Sequence, residues 1–101
     1  MFHLSPNMDI GGTFLIGHIT LAPGKVMRAF GIPQDGDGHK VSGEYAFSGP
    51  KNTRFTLYDW KYGYNVWDRK SLTGLQLNIG GDDTSMQYLR DFVSWLRMRS
   101  G

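Results

Sequence analysis

The residues best suited to binding chemistry lie between positions 58 and 70, a segment rich in aromatic and basic side chains. An aromatic ring that stacks on a nucleobase contributes about 1 to 3 kcal/mol, and a basic side chain can pair with a phosphate. We therefore predict a ligand-binding site formed by Tyr58, Trp60, Lys61, Tyr64, Trp67, Arg69 and Lys70. Tyrosine and tryptophan are also common in strands, so part of this set is equally compatible with a packed core or a dimer interface.

A second candidate is the turn at Gly80 and Gly81, which separates a strand pattern from a helix pattern. Glycines allow a close backbone approach, and a helix start offers unpaired N–H groups that can bind a phosphate. Asp82 and Asp83 oppose this use because their charges repel an anion. They also resemble magnesium-binding carboxylates, but no second acidic cluster accompanies them. A strand-to-helix turn with capping charges is the simpler interpretation.

Metal and thiol chemistry have little support in the sequence. The chain contains no cysteine, which excludes disulfides and thiolate sites. Residues 35–39 begin like a calcium loop, but Lys40 replaces the required glycine and Ala46 the required glutamate. We expect no metal and no cofactor, since none of the three histidines stands at metal-ligand spacing: His3, His18 and His39.

Glu44 is a lone carboxylate that alternates with Tyr45 on a predicted strand. Acid–base catalysis by Glu44 would require a positioned partner, and no spacing requires Asp59 or His39 to fill that role. No catalytic triad or paired carboxylates can be drawn from the sequence. We therefore predict a protein without enzymatic activity.

The elements that position these residues are mostly short strands. Residues 13–21 alternate as a strand, residues 22–25 form a proline-glycine turn, and residues 26–30 are predicted to return as its partner. Residues 40–47 and 53–61 form a second hairpin around a Gly-Pro turn.

The remaining chain is predicted to form a loop, a strand and a helix. Residues 61–74 lack a period and indicate a long loop, with a short edge strand within it as the alternative, and residues 75–79 alternate as a strand. Thr84 and Gln87 fit a capping box, ahead of an apolar stripe formed by Met86, Leu89, Phe92, Val93 and Leu96. The predicted fold is α+β: an antiparallel β-sheet of about five strands, two hairpins plus a last strand, packed by one C-terminal amphipathic helix in a single domain over residues 1–101.

The composition is that of a folded domain with a mild positive charge. Hydrophobic residues make up 40% of the chain and charged residues 20%, which favours a globular rather than a disordered state. The net charge of +2 is compatible with an anionic partner but does not require one. We expect neither a signal segment nor a membrane span, and hence a cytoplasmic protein. Exposed strand edges and surplus aromatic residues favour a homo-oligomer.

Four short stretches form a recognisable set: Phe30-Gly31-Ile32-Pro33, Lys40-Val41-Ser42-Gly43-Glu44-Tyr45, Phe55-Thr56-Leu57-Tyr58-Asp59-Trp60-Lys61 and Asn78-Ile79-Gly80-Gly81. Their pattern resembles small uncharacterised bacteriophage accessory proteins. Asn78 departs from that pattern, in which histidine is expected, and this argues against a histidine-based reaction there. The resemblance implies a phage origin and a role as an inhibitor or scavenger of host defence components. It assigns no functional residue.

These observations together predict a non-enzymatic, phage-type binding protein that sequesters a small phosphorylated or nucleotide-like ligand in the host cytoplasm. The alternative is a protein inhibitor of a host defence effector, such as a CRISPR nuclease complex, that uses the same aromatic and basic surface. An inhibitor needs a patch that buries about 800 Å² per partner, whereas a scavenger needs a concave site of a few hundred Å³. Nonspecific binding of single-stranded nucleic acid is less favoured, and its affinity would fall steeply with salt.

Overall fold

Six strands and two helices make up the chain, which a computed structural model describes over residues 1–101. In chain order they are β1 (His3–Leu4), β2 (Phe14–Leu21), α1 (Pro23–Phe30), β3 (Gln34–Asp35), β4 (Gly43–Ser48), β5 (Arg54–Tyr58), β6 (Leu75–Gly81) and α2 (Leu89–Ser100). Short 3₁₀ turns at Pro50–Asn52 and Met86–Tyr88 precede β5 and α2.

The strands form one antiparallel sheet in the order β1-β4-β5-β6-β2, and β3 also pairs with β4. One edge of the sheet is the eight-residue strand β2, and the other is shared by β1 and β3, which have two residues each. The α+β class, the antiparallel sheet and the C-terminal helix expected from the sequence are confirmed. The hairpin of β4 and β5 is also confirmed.

The first predicted hairpin is wrong, because residues 22–30 form a helix start and α1 instead of a turn and a strand. Pro23 lies at the start of α1, where a missing N–H breaks no helical hydrogen bond. The buried side chains that follow are spaced at helical intervals: Val26, Met27 and Phe30. Over so few residues an apolar run does not distinguish a helix from a strand, and β2 pairs with β6 instead.

Both helices pack on the same face of the sheet. Phe47 of β4 contacts Phe30 of α1 and Phe92 of α2, with ring centroids 5.0 and 5.4 Å apart. Phe92 also stacks on Phe55 of β5 at 4.3 Å. The predicted apolar stripe of α2 is thus confirmed at Phe92 and Leu96, which are fully buried, whereas the predicted member Met86 is exposed and precedes the helix.

The opposite face of the sheet is covered at one end only. Residues 5–13 connect β1 and β2, which lie at opposite edges of the sheet, so this segment crosses the face. Arg54 of β5 fixes the segment by hydrogen bonds. Its guanidinium donates to the backbone oxygens of Asp9 at 3.0 Å and Gly11 at 2.8 Å, and it pairs with Asp82 at 3.1 Å. The other end of β5, at Tyr58, stays uncovered.

Neither helix combines the length and the apolar character needed to cross a membrane. The cytoplasmic location and the homo-oligomer expected from the sequence stay predictions. Strand β2 pairs with β6 alone and carries no charged residue, so its free edge is the segment at which we predict that a second copy would pair.

Candidate ligand-binding site

Four side chains form a row across the uncovered face of the sheet. The strand register places Glu44 of β4 opposite Tyr58 of β5, and Tyr58 opposite Asn78 of β6. Asn78 in turn lies opposite His18 of β2. Directly opposite side chains in antiparallel strands have Cβ atoms about 4.5 to 5.5 Å apart. The row therefore brings together residues from four strands.

A cavity of about 400 Å³ opens over the part of this row that β5, β6 and β2 supply. Its lining consists of three aromatic residues, Tyr58, Trp60 and Tyr62, and four others, Leu15, His18, Gln76 and Asn78. Small-molecule sites typically have volumes of about 300 to 1,000 Å³ and combine apolar or aromatic walls with a few polar groups. The cavity meets both criteria.

The three aromatic side chains are held by contacts with one another and with β6. Tyr58 and Trp60 are two residues apart and meet edge to face, with ring centroids 6.3 Å apart. The hydroxyl of Tyr62 donates to the backbone oxygen of Gln76 at 2.8 Å. Trp60 keeps 43% of its surface exposed, so a ligand can reach its ring.

Asn78 is the most unusual polar residue of the cavity. The residue is only 7% exposed, and its side-chain amide makes no hydrogen bond within the protein. The amide nitrogen and oxygen are open to water, because the one side-chain polar atom buried without a partner is Thr53 Oγ1. Since the exposed remainder of Asn78 lines the cavity, its donor and acceptor are available to a ligand. The side chains of His18 and Gln76 likewise make no hydrogen bond within the protein.

Asp59 fixes the backbone of the segment that carries the aromatic residues of the cavity. It is 1% exposed, and its Oδ1 accepts the backbone N–H groups of Ser42 and Gly43, each at 3.0 Å. The indole N–H of Trp67 donates to the same oxygen at 3.1 Å, and the Ser42 hydroxyl donates to Oδ2 at 2.6 Å. These four donors satisfy a buried carboxylate that has no cationic partner, and they fix the backbone directly before Trp60.

The structure places some of the predicted site residues at the cavity and the others away from it. Tyr58 and Trp60 line the cavity. Lys61 lies beside it, with its Nζ 5.6 Å from the centroid of the Trp60 ring, and Lys40 approaches the same ring at 5.7 Å. The aromatic and basic segment therefore contributes one end of the cavity.

The other predicted site residues lie elsewhere. Trp67 is buried against Gly43 and binds Asp59, so it belongs to the core. Tyr64 lines a neighbouring depression, while Arg69 and Lys70 are exposed and line neither concavity.

Sequence reasoning missed five residues of the cavity: Leu15, His18, Tyr62, Gln76 and Asn78. Tyr62 lies within the segment that was singled out, and its aromatic ring was a usable signal. Gln76 and Asn78 alternate with the core residues Leu77 and Ile79 along β6, so they lie on the open face of the sheet. Their proximity to Tyr58 depends on the pairing of β5, β6 and β2, which alternation alone does not reveal.

Two carboxylates outside the cavity lining, Glu44 and Asp82, have pKa values shifted in opposite directions. Burial, together with the nearby charge of Asp37, raises the pKa of Glu44 above its usual value. Hydrogen bonds from Ser85 and Thr84 hold the pKa of Asp82 well below its usual range. Because Asp82 itself accepts the N–H of Ser85 at 3.0 Å, that turn fits the interpretation of a strand-to-helix connection with capping charge.

No group of three or more histidine, aspartate or glutamate side chains is arranged to hold a metal ion. Comparisons with protein-family models and with curated proteins give no match. The interpretation of the cavity therefore depends on its own geometry.

Proposed function

We propose that the protein binds a small nucleotide-like ligand in the cavity on the open face of the sheet and sequesters it without converting it. The observation that carries this proposal is the aromatic-lined cavity in which Asn78 presents a side-chain amide that makes no hydrogen bond within the protein. A nucleobase has an apolar face and a polar edge. Trp60 and Tyr58 offer rings for the face, and Asn78 and Gln76 offer amides for the edge.

Shape favours a small ligand over a protein partner. The cavity of about 400 Å³ is concave and local, whereas a protein inhibitor needs a continuous patch that buries about 800 Å². Outside the cavity, the exposed apolar side chains of Ile32 and Leu72 lie on different segments, and Met1 and Met98 share a second depression on the helix-covered side. The resemblance to phage accessory proteins supports a nucleotide signal of host defence as the ligand, with inhibition of a host effector as the alternative.

Replacing Trp60 with alanine tests the proposal. We expect Trp60→Ala to weaken nucleotide binding about tenfold or more, because stacking on an aromatic ring contributes about 1 to 3 kcal/mol and 1.4 kcal/mol corresponds to a factor of ten. The measurement is isothermal titration calorimetry with AMP, GMP, CMP, UMP and 3′,5′-cyclic AMP. Trp60 is partly exposed, so the variant is expected to stay folded, which circular dichroism verifies.

Leu72→Ala is the matched control, since Leu72 is a large side chain of the same loop, 57% exposed and outside both the cavity and the neighbouring depression. Its affinity for the same nucleotides should equal that of the wild type. Equal losses in both variants would refute the assignment of the site. A wild-type protein that binds none of the five compounds would refute the proposal and favour the protein inhibitor.

A further inference from the structure

We infer that Lys40 and Lys61 hold the phosphate of the ligand at the Trp60 end of the cavity, so that the protein selects a phosphorylated nucleotide over the corresponding nucleoside. This inference rests on the proposed function, because it assigns a second part of the same ligand. The aromatic and amide groups of the cavity are assigned to the base of the ligand, and the two lysines are assigned to its anionic group.

The first supporting observation is the position of the two ammonium groups. The Nζ atoms of Lys40 and Lys61 lie 5.7 and 5.6 Å from the centroid of the Trp60 ring, within the usual range of cation–π contacts. Neither lysine pairs with a carboxylate, and the one ion pair of the structure joins Arg54 to Asp82. Two unpaired cations around one aromatic ring create a local positive potential that an anion relieves.

The second observation is that the backbone around both lysines is held in place. The N–H of Lys61 donates to the backbone oxygen of Lys40 at 2.7 Å, which joins the two segments. Asp37 Oδ1 accepts the N–H of Lys40 at 2.9 Å, as well as those of His39 and Val41. Two otherwise separate segments therefore present their lysines to the same aromatic ring.

Lys61 also adopts an uncommon backbone conformation. Its φ of 59° lies in the left-handed region, which residues with a side chain rarely occupy. Such conformations persist where surrounding contacts enforce them, and they are frequent at functional sites. Here the bond to Lys40 and the buried Asp59 supply those contacts.

A neighbouring depression extends the site beyond the lysines. Its volume is about 310 Å³, and Lys40 lines it together with His39, Ser42 and Asn65. Asp59 also borders it, but its oxygens already accept hydrogen bonds from four donor groups. The depression thus offers room and donor groups next to the phosphate position, which suits a ligand with more than one phosphate.

Calorimetry with nucleosides and nucleotides tests the inference on the intact protein. The compounds are adenosine, AMP and ADP, with guanosine, GMP and GDP as a second series. We expect the wild type to bind the monophosphate at least tenfold more tightly than the nucleoside. The double variant Lys40→Gln/Lys61→Gln should lose this preference and bind the nucleoside as the wild type does. Raising sodium chloride from 50 to 500 mM should narrow the wild-type preference because salt screens the lysines.

Lys25→Gln is the control, because Lys25 is exposed on α1, on the helix-covered side of the sheet. It should keep the full preference for phosphate. Equal affinity of the wild type for nucleoside and nucleotide, or an unchanged preference in the double variant, would overturn the inference while leaving base binding intact. Failure of all six compounds to bind would overturn both the inference and the proposed function.

Discussion

Asp59→Ala is expected to lower the free energy of unfolding by on the order of 4 kcal/mol, because each buried donor left without a partner costs about 1 to 3 kcal/mol. The substitution removes the acceptor for the backbone N–H groups of Ser42 and Gly43 and for the indole of Trp67. A domain has a total stability of only about 5 to 15 kcal/mol. Much of the stability of the chain therefore depends on this one carboxylate.

Urea denaturation followed by circular dichroism measures this effect. Asp83→Ala serves as the control, because Asp83 is exposed and its change should alter stability by no more than about 0.5 kcal/mol. Asp59→Asn keeps one acceptor oxygen, so its loss should lie between those of the other two variants. A loss below about 1 kcal/mol for Asp59→Ala would contradict the assigned network, since that is the lower limit for a single unsatisfied donor.

Phe92→Ala is expected to lower the free energy of unfolding by about 3 to 5 kcal/mol, the range found when a buried phenylalanine is truncated. Phe92 is fully buried and stacks on Phe55 at 4.3 Å, with an angle of 17° between the rings. It also contacts Phe47 and Phe2 at 5.4 Å each. The truncation leaves a cavity between α2 and the sheet that these rigid rings cannot close.

The same denaturation experiment includes Met98→Ala, which changes an exposed residue of α2 and should be nearly neutral. Phe92 lies on the side of the sheet opposite the ligand cavity, so the folded fraction of Phe92→Ala should keep wild-type nucleotide affinity. A stability close to that of Met98→Ala would mean that α2 does not pack as described. Loss of affinity in fully folded Phe92→Ala would show that the two faces are not independent.

Features encoded by local patterns could be predicted from the sequence. The β4–β5 hairpin follows from alternation around a Gly-Pro turn, and the apolar spacing at Phe92 and Leu96 predicts α2. Helix α1 escaped prediction because its buried residues fall within eight positions, too few to separate the helical period from a strand. The predicted capping box of Thr84 and Gln87 is wrong: α2 begins at Leu89 after a 3₁₀ turn and has no side-chain cap, and the Thr84 hydroxyl donates to Asp82.

The candidate site was predictable only where it is contiguous in sequence. Tyr58, Trp60 and Lys61 follow one another closely, and the aromatic and basic composition identified them. His18 and Asn78 join them through strand pairing between distant parts of the chain, which composition does not encode. Aromatic character also could not separate Trp60 from Trp67, because only the folded structure shows that Trp67 is buried and bound to Asp59.

The most direct test of the central claim is a titration of ¹⁵N-labelled protein with AMP, followed by two-dimensional ¹H–¹⁵N NMR. Shift changes should concentrate at the indole N–H of Trp60 and at the side-chain amides of Gln76 and Asn78, which line the cavity. The indole N–H of Trp67 should stay unchanged, because it is buried on Asp59. Shift changes confined to Arg69, Lys70 or α2, or no change at millimolar AMP, would contradict the assignment of the open-face cavity as a nucleotide site.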